Sequence, residues 1–193
     1  MREPKDSGPA GLLLGVSMCE TEDSSLIARS KRGELEAFGE LVRRHQRMIH
    51  ALTYRMCGTL ADSEDLAHET FVRAYRGLGS FRGDSKFSSW LYQIAINLCV
   101  RWRGKQARRN VAERAWAEDA YSESSDAYPS DRVHAALAQL SPKLRAAVVL
   151  TALEGMSHAE AAGVLGCAEK TLSWRLFIAR RKLGALLRTT WRK

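Results

Sequence analysis

The chain has 193 residues, of which 45% are hydrophobic, and a formal net charge of +8. It is long enough to bury one medium-sized core or two small ones, so its composition excludes a disordered chain. The four cysteines, Cys19, Cys57, Cys99 and Cys167, form neither a CxxC pair nor a pattern typical of secreted disulfide proteins. Together with the lack of an apolar run of membrane-spanning length, they predict a soluble, cytoplasmic protein with no membrane insertion.

The charge alternates along the chain. Residues 1–25 carry a net charge of −3, residues 26–110 of +8, residues 111–131 of −5 and residues 132–193 of +8. Two basic blocks joined by an acidic strip are typical of two polyanion-binding domains on a linker that does not bind nucleic acid. We therefore predict a disordered leader over 1–25, a first domain over 26–110, a flexible acidic linker over 111–131 and a second domain over 132–193.

Helical periodicity dominates the first basic block, and no segment alternates as a strand would. A short helix is predicted over about residues 26–31, and a long one over about 34–57, with Gly58 at its end. A third helix is predicted over about 63–78. A fourth, over about 86–104, has its apolar residues on one stripe. The pattern predicts an all-α fold.

The predicted third helix, with Asp62 or Ser63 as its cap, collects acidic residues within a basic domain. The acidic positions are Asp62, Glu64, Asp65 and Glu69. An acidic island of this kind indicates a protein partner rather than DNA. The alternative is purely structural, because the helix dipole stabilises acidic side chains in the first turn, which accounts for three of the four.

The segment over 80–97 joins a glycine-punctuated loop to a helix that is dense in aromatic residues. Aromatic faces, small hydroxyls and amides beside cations are the groups that hold unstacked single-stranded bases. A basic track for phosphates follows along the same helix: Arg101, Arg103, Lys105, Arg108 and Arg109. Phe87 and Trp90 also lie on the apolar stripe, so core packing explains these two equally well.

The second basic block is predicted to begin with a helix over about 132–140. The next helix has Ser141 as its cap and Pro142 as its first residue, and it ends at Gly155. A helix-turn-helix follows and is the most informative part of the chain.

In this helix-turn-helix, Ser157 and Glu160 have the spacing of a capping box, and Gly166 stands where the turn needs a left-handed or cramped backbone. The helix after the turn buries a stripe at steps of three and four: Leu172, Leu176, Ala179, Leu183 and Leu186. Its other face carries Lys170, Thr171, Ser173, Trp174, Arg175 and Arg181. These six suit base edges and phosphates in a major groove; a helical hairpin with a solvated basic face is the alternative.

The chain lacks the motifs of a nucleic-acid enzyme. It has no phosphate-cradling glycine loop, no HExxH motif and no acidic cluster spaced for two metals. His45, His50 and Cys57 are separated by five and seven residues, and these spacings do not repeat on one helical face. We therefore predict no catalytic residue, no metal site and no cofactor.

Three of these segments closely resemble the extracytoplasmic-function (ECF) sigma factors, the two-domain group of bacterial transcription initiation factors. The resemblance covers almost all of residues 26–187. The pattern DxEDLxxETFxRAY resembles region 2.2 of that family, and FRGDSxFxxWLYxIAxN resembles regions 2.3 and 2.4. The segment LSPKLRAAVVLTALEGMSHAEAAGVLGC, with the helix after it, resembles region 4.

The resemblance implies two small helical domains, a region 2 bundle and a region 4 helix-turn-helix, joined by the flexible acidic linker. It implies binding to core RNA polymerase at the beta-prime clamp helices and the beta flap, recognition of promoter DNA, and an anti-sigma factor that holds the chain inactive until a stress signal. The clamp helices would meet Asp62, Glu64, Asp65, Glu69 and Phe71. The melted minus-ten strand would meet Phe81, Arg82, Asp84, Ser85, Phe87, Asn97 and Arg101. The minus-thirty-five duplex would meet the six outward residues of the last helix.

Two departures from the family pattern bear on promoter preference. Ser173 and Trp174 stand where the family often has a basic residue followed by a small one. Phe177 and Ile178 are more apolar than the family's common histidine and arginine. We therefore expect an unusual minus-thirty-five preference. The alternative function is a stand-alone helix-turn-helix regulator, which would bind duplex DNA tightly without polymerase.

Overall fold

The computed structural model describes residues 23–114 and 129–190. Within these two ranges no strand occurs, and the regular elements are helices, which confirms the predicted all-α fold. The first range holds α1 (residues 23–31), α2 (Leu35–Cys57), α3 (Leu60–Gly77) and α4 (Phe87–Arg114). The second range holds α5 (Pro129–Ala138), α6 (Pro142–Val148), α7 (His158–Val164) and α8 (Glu169–Thr190). None of the described helices combines the length and apolar character that a membrane span requires.

The helices form two units, the first unit (α1–α4) and the second unit (α5–α8). In the first unit, α2, α3 and α4 pack against one another. Leu41, Ile49 and Leu52 of α2 and Leu91 of α4 are fully buried in that packing. Helix α2 ends where the sequence predicts, because Gly58 adopts a left-handed φ of 89° and its amide closes the last turn.

Helix α3 begins earlier than predicted. Its first residue is Leu60 rather than Ser63, and Thr59 occupies the N-cap position. Asp62 therefore lies in the first turn, where its carboxylate accepts a hydrogen bond from the Thr59 hydroxyl. The predicted cap at Asp62 or Ser63 is wrong, because this contact supports one more turn of helix.

Three helices extend past the predicted domain boundaries. Residues 23–25 belong to α1, residues 111–114 to α4 and residues 129–131 to α5. Helix α4 passes through Gly104 because one glycine costs a helix only about 1 kcal/mol, and its neighbours are good helix formers. The remaining leader and linker, residues 1–22 and 115–128, lie outside the described residues.

The second unit contains the predicted helix-turn-helix. Helix α6 begins at Pro142, continues into a π-helical turn over Val149–Leu153 and is followed by Gly155 at φ 70°. Gly166, at φ 58°, makes the turn between α7 and α8. Ala161 and Ala162 of α7 and Leu172 and Leu176 of α8 are buried in one cluster. Ala179 of α8 is buried in another, with Leu137 and Leu140.

The capping box at the start of α7 is confirmed. The Glu160 amide donates to the Ser157 hydroxyl oxygen at 3.2 Å, and the Ser157 amide donates to Glu160 Oε2 at 3.0 Å. The pKa of Glu160 is lowered, mainly by the hydrogen bond from the Ser157 hydroxyl and then by the one from the backbone amide.

Replacing Ser157 by alanine is expected to lower the free energy of unfolding by about 1 kcal/mol at neutral pH, because α7 loses its cap. A carboxylate with a lowered pKa stabilises the fold above its unfolded pKa, and that contribution is lost as the pH falls through the folded pKa. The difference between wild type and variant should therefore shrink in acid, below the unfolded value of 4.5. Urea unfolding at neutral pH and at a pH below 4.5 measures this difference in free energy. Ser157→Thr is the control that keeps a cap. A pH-independent difference would contradict the assignment.

The two predicted domains contact each other through buried side chains. A single cluster of buried residues extends from the first unit to Ala146 and Leu150 of the second. At the junction, the carbonyl of Met56 in the last turn of α2 accepts hydrogen bonds from Nη1 of Arg145 at 2.7 Å and Nη1 of Arg103 at 3.2 Å. Burial lowers the pKa of Arg145 to about 10. The partial negative charge of a helix C-terminus favours cations at this position.

Candidate protein and nucleic-acid interfaces

An apolar groove of about 830 Å³ lies between α2 and α3. Phe38 and Phe71 are buried in its floor, and Tyr75 is 45% exposed. The rings of Phe38 and Tyr75 meet edge to face, with centroids 5.0 Å apart. Glu64 lines the same groove. The groove therefore offers a partner both apolar surface and a carboxylate.

The predicted acidic residues of α3 differ in their surroundings. Glu64 and Asp65 are exposed, and neither makes an ion pair within the described part of the chain. Glu69 accepts a hydrogen bond from Nε of Arg73 at 2.6 Å, and this bond lowers the pKa of Glu69. Asp62 is half-buried in the first turn. Glu64 and Asp65 are thus the two carboxylates best placed to meet a partner.

The loop before α4 is anchored by aromatic residues. Phe81 and Phe87, which the resemblance places near DNA, are both buried. Their ring centroids are 5.6 Å apart, and Trp90 lies 5.1 Å from Phe81 and 5.7 Å from Phe87. The Lys31 ammonium donates to the Phe81 carbonyl at 2.6 Å. Their rings fill the core and fix the two ends of the loop, and their position near the minus-ten strand stays a prediction.

A cleft of about 460 Å³ opens beside this loop. Asp84, Ser85 and Gly83 line it on the loop side, and Asp23 and Ser24 line it on the α1 side. Arg82 is exposed on the same loop. The cleft therefore presents hydroxyl and carboxylate groups of the kind that hydrogen-bond an extruded base.

Sequence reasoning missed Asp23, which it placed in the disordered leader. The Asp23 carboxylate pairs with Nε2 of His45 at 2.8 Å and lies 3.5 Å from the Arg44 guanidinium. These contacts hold the start of α1 against α2. The signal in the sequence was an acidic residue three positions before the apolar pair Leu26 and Ile27, a spacing typical of the first turn of a helix.

One side of α4 forms a polar stripe. Gln93, Asn97 and Arg101 are exposed at successive steps of four residues, so they share a helical face. Lys105 and Arg108 continue the exposed basic track.

Arg103 does not belong to the exposed track. Its Nη1 donates to the Met56 carbonyl, and its Nη2 donates to the Ala138 carbonyl at 3.4 Å. Burial lowers the pKa of Arg103. The side chain of Arg109 lies outside the described residues. Arg103 is thus a structural residue at the junction of the two units.

Helix α8 turns most of its predicted residues outward. Lys170, Thr171, Ser173, Trp174 and Arg181 are exposed. The sixth predicted residue, Arg175, is not fully exposed.

Arg175 is half-buried on α8, and its Nη1 reaches Sγ of Cys167 in the preceding turn at 3.5 Å. A direct contact between Arg175 and a base is therefore not prepared in this structure. Trp174 and Phe177 stack on the outward side, with centroids 5.7 Å apart and ring planes inclined at 27°.

The cysteine and histidine residues form no metal-binding cluster in the described ranges, where no group of three or more His, Cys, Asp or Glu side chains could hold an ion. His45 is bound to Asp23, as described above. Cys57 and Cys99 are both buried, and a hydrogen bond between them, together with burial, raises the pKa of Cys99. Cys19 lies outside the described residues.

Comparison with known proteins places these units in families. Residues 41–109 match Sigma-70 region 2, and residues 130–183 match Sigma-70, region 4. The RNA polymerase sigma-H factor of Pseudomonas aeruginosa is 34% identical over 191 residues, which cover 91% of this chain and 99% of that protein. The ECF RNA polymerase sigma factor SigM of Mycobacterium tuberculosis is 36% identical over 171 residues, which cover 87% of this chain and 86% of that protein.

A solved structure shares the fold. The structure of CnrH in complex with the cytosolic domain of CnrY matches with a TM-score of 0.66 at 33% identity, covering 87% of this chain and 98% of that one. A helix-turn-helix with a basic outward face, combined with an exposed apolar groove on a separate unit, defines a DNA-binding protein with a second surface for a protein partner. Glu64 and Arg76 are the carboxylate and the guanidinium in the lining of that groove. The chain belongs to the ECF group of the sigma-70 family, whose regions 2 and 4 bind core RNA polymerase and promoter DNA.

Proposed function

We propose that three separate surfaces of the chain divide the tasks of transcription initiation. The α2–α3 groove docks on the clamp helices of core polymerase, the loop before α4 and the polar stripe of α4 hold the melted minus-ten strand, and the outward face of α8 reads the minus-thirty-five duplex. The observation that carries this proposal is the exposed apolar groove, which has Glu64 in its lining. A chain of net charge +8 that used only DNA would have no evident need for it.

The docking step rests on Glu64, Asp65 and the exposed ring of Tyr75. Exposed carboxylates beside an apolar floor fit a partner helix that presents basic and apolar side chains together. Glu69 and Asp62 contribute less directly to the docking step. The Glu69 carboxylate already forms an ion pair with Arg73. Phe71 is buried and forms part of the floor of the groove, so it is not an exposed contact.

The minus-ten step rests on the loop cleft and the stripe of α4. Asp84 and Ser85 line the cleft into which a base would turn, and Arg82 stands beside them. Asn97 and Arg101 on the exposed face of α4 would meet the neighbouring strand. Buried Phe81 and Phe87 keep the loop in place for this contact.

Arg101→Ala is expected to weaken promoter binding by the holoenzyme and to reduce the slope of log affinity against log salt by about one, because one phosphate contact is lost. Arg47→Ala is the matched control, since Arg47 is an exposed cation of α2 outside the proposed surfaces. Titration of promoter DNA at several salt concentrations measures both quantities. Equal slopes for wild type and Arg101→Ala would exclude a phosphate contact at this position.

We further propose that the chain works in the cytoplasm, carries out no catalytic step of its own and is held by an anti-sigma factor. Support for a protein partner comes from CnrH, which was solved in complex with the cytosolic domain of CnrY. Isolation of the chain from its native cells tests this idea. Recovery on polymerase alone under all growth conditions would contradict sequestration.

The proposed function is tested by transcription from a randomised promoter library with core polymerase, in the presence and absence of the chain. Promoter-specific RNA that requires both components supports the proposal and reveals both recognition elements. Binding of duplex DNA by the chain alone is measured in parallel. Tight duplex binding without any effect on polymerase would support a stand-alone regulator instead.

A further inference from the structure

Helix α8 has two large aromatic side chains that are exposed to solvent. Trp174 is 63% exposed and Phe177 is 49% exposed, and their rings stack on each other. An apolar side chain that stays exposed does not contribute the free energy of burial to folding. An exposed apolar patch of this size commonly marks a binding surface. The two residues are three positions apart, so both rings lie on one side of the helix.

The surroundings of the pair fit a polyanion. The guanidinium carbon of Arg181 lies 5.8 Å from the centroid of the Phe177 ring. Lys170 is exposed on the same side, and Glu169 is the one acidic residue in the sequence of α8. A protein partner that covered this apolar pair would also have to neutralise these cations. Duplex DNA neutralises them with its phosphates.

The order of residues along this face suits a helix that lies in a major groove, as the second helix of a helix-turn-helix does. Lys170, Trp174, Phe177 and Arg181 follow at steps of four, three and four, so they form one row of about 16 Å. The row has a cation at each end to meet phosphates, and the aromatic pair between them is left to face the base edges.

The centre of the row is left to the aromatic rings. Arg175, the cation nearest to them in sequence, is turned back towards Cys167. The Phe177 ring has no hydrogen-bonding group, and the Trp174 ring has only its indole N–H donor, so most of the surface of the pair can meet only apolar groups. The apolar group that the major groove displays is the 5-methyl group of thymine, which cytosine, adenine and guanine lack.

We propose that Trp174 and Phe177 determine promoter specificity by packing against thymine 5-methyl groups in the minus-thirty-five element. This inference rests on the proposed function of α8. It names the chemical group that α8 reads and explains why an aromatic pair stands where the family often has smaller or charged residues.

The test removes single methyl groups from the DNA. Promoter duplexes chosen from the randomised library carry deoxyuridine in place of each thymidine of the minus-thirty-five element, one at a time, which changes nothing except the methyl group. Binding by the holoenzyme is expected to fall about fourfold at each contacted position, the effect of one buried methyl group. The double variant Trp174→Ala, Phe177→Ala is expected to bind more weakly and to show no response to uracil.

Two controls make the outcome specific. Val133→Ala removes an exposed apolar side chain from α5 of the same unit and should keep the full uracil response. Lys170→Ala and Arg181→Ala test the function of α8 itself. The aromatic residues are exposed, so their replacement leaves the core of the unit intact.

Three results would overturn the inference or its basis. If uracil has no effect while Lys170→Ala and Arg181→Ala weaken promoter binding, α8 reads the element without methyl contacts and the inference fails alone. If these lysine and arginine variants also have no effect, the proposed function of α8 fails. If the aromatic double variant loses affinity for core polymerase with unchanged DNA binding, the pair is a protein-docking surface.

Discussion

Replacing Glu64 and Asp65 together by lysine is expected to lower the affinity of the chain for core RNA polymerase by about 100-fold. The two carboxylates are exposed on α3, and Glu64 lines the apolar groove. Charge reversal places two cations where the partner presents cations, and the ring of Tyr75 can then no longer pack without bringing like charges together. A loss of 100-fold corresponds to about 2.7 kcal/mol, within the range for charged pairs at interfaces.

The same substitution should leave the fold unchanged. Exposed positions away from caps and cores usually change stability by less than about 0.5 kcal/mol. Glu69 is a poorer choice for this test, because its hydrogen bond with Arg73 also stabilises the helix. Asp62 is likewise engaged, by the hydroxyl of Thr59. Glu64 and Asp65 therefore separate binding from folding better than the other two acids do.

The matched control is Glu36→Lys. Glu36 is an exposed acid in the first turn of α2, and it does not line the groove. Its reversal changes the net charge in the same direction by half as much, so it controls for long-range electrostatics against each single reversal, Glu64→Lys or Asp65→Lys. Competition for core polymerase against a labelled wild-type chain measures the affinities. Equal affinities for wild type and the Glu64, Asp65 variant would exclude this groove as the docking surface.

A second variant separates the apolar part of the groove from its charge. Tyr75→Ala keeps both carboxylates and removes the exposed ring above Phe38. Aromatic anchors at the centre of an interface contribute more than rim charges, which mainly affect the association rate. We expect Tyr75→Ala to raise the dissociation rate. The charge reversal should instead slow association, with an effect that weakens at high salt.

Local signals account for the parts of the fold that the sequence predicted well. Gly58 ends α2 because a single glycine supplies the left-handed backbone of the helix end. The capping box of Ser157 and Glu160 spans only four residues. The helix-turn-helix combines such signals with a short-range apolar stripe. The outward set of α8 follows from the same periodicity, and the sequence therefore predicted which of these side chains are exposed, except for Arg175.

Sequence patterns could not decide which polar and aromatic residues near the candidate site are buried. Phe81 and Phe87 have the composition of a base-stacking surface, but they pack against Trp90. Periodicity cannot decide between these uses, because a ring suited to stack on a base is equally suited to fill a core. Asp23 was missed for a similar reason, since its partner His45 lies 22 residues away.

The junction between the units was also beyond reach of sequence patterns. Each apolar stripe could be assigned to the core of its own unit, so nothing indicated that α4 and α6 pack together. The residues that mark the junction are polar. Arg103 reads as part of a basic track for phosphates, and Glu154 reads as a surface acid, although each is bonded across the junction.

Glu154→Ala is expected to lower the free energy of unfolding by about 3 kcal/mol, because Glu154 is the acceptor for two groups of the other unit. Its Oε2 accepts a hydrogen bond from the Tyr92 hydroxyl at 2.6 Å, and its Oε1 contacts the guanidinium of Arg55. Tyr92 is buried, and burial together with Glu154 raises the pKa of this phenol. Without Glu154 the buried hydroxyl has lost its partner, and each unsatisfied group of this kind costs about 1–3 kcal/mol.

Two conservative variants assign this loss to the contact itself. Tyr92→Phe removes the hydroxyl and should cost about 1 kcal/mol, whereas Glu154→Gln keeps an acceptor for the hydroxyl and should cost less than Glu154→Ala. In a double-mutant cycle, Glu154→Ala should cost less in the Tyr92→Phe background, because no buried hydroxyl is then left unsatisfied. Strictly additive losses from urea unfolding would contradict a direct contact.

The same variant tests whether the shared core makes the two units unfold together. Because one buried cluster joins them, hydrogen exchange of the most protected amides in α3 and α8 should report the same opening free energy in the wild type. Glu154 acts only across the junction, so its loss weakens the connection and leaves each unit's own packing in place. In Glu154→Ala the amides of α8 should therefore open at a lower free energy than those of α3. An equal decrease in both helices would mean that the remaining apolar contacts alone keep the units cooperative.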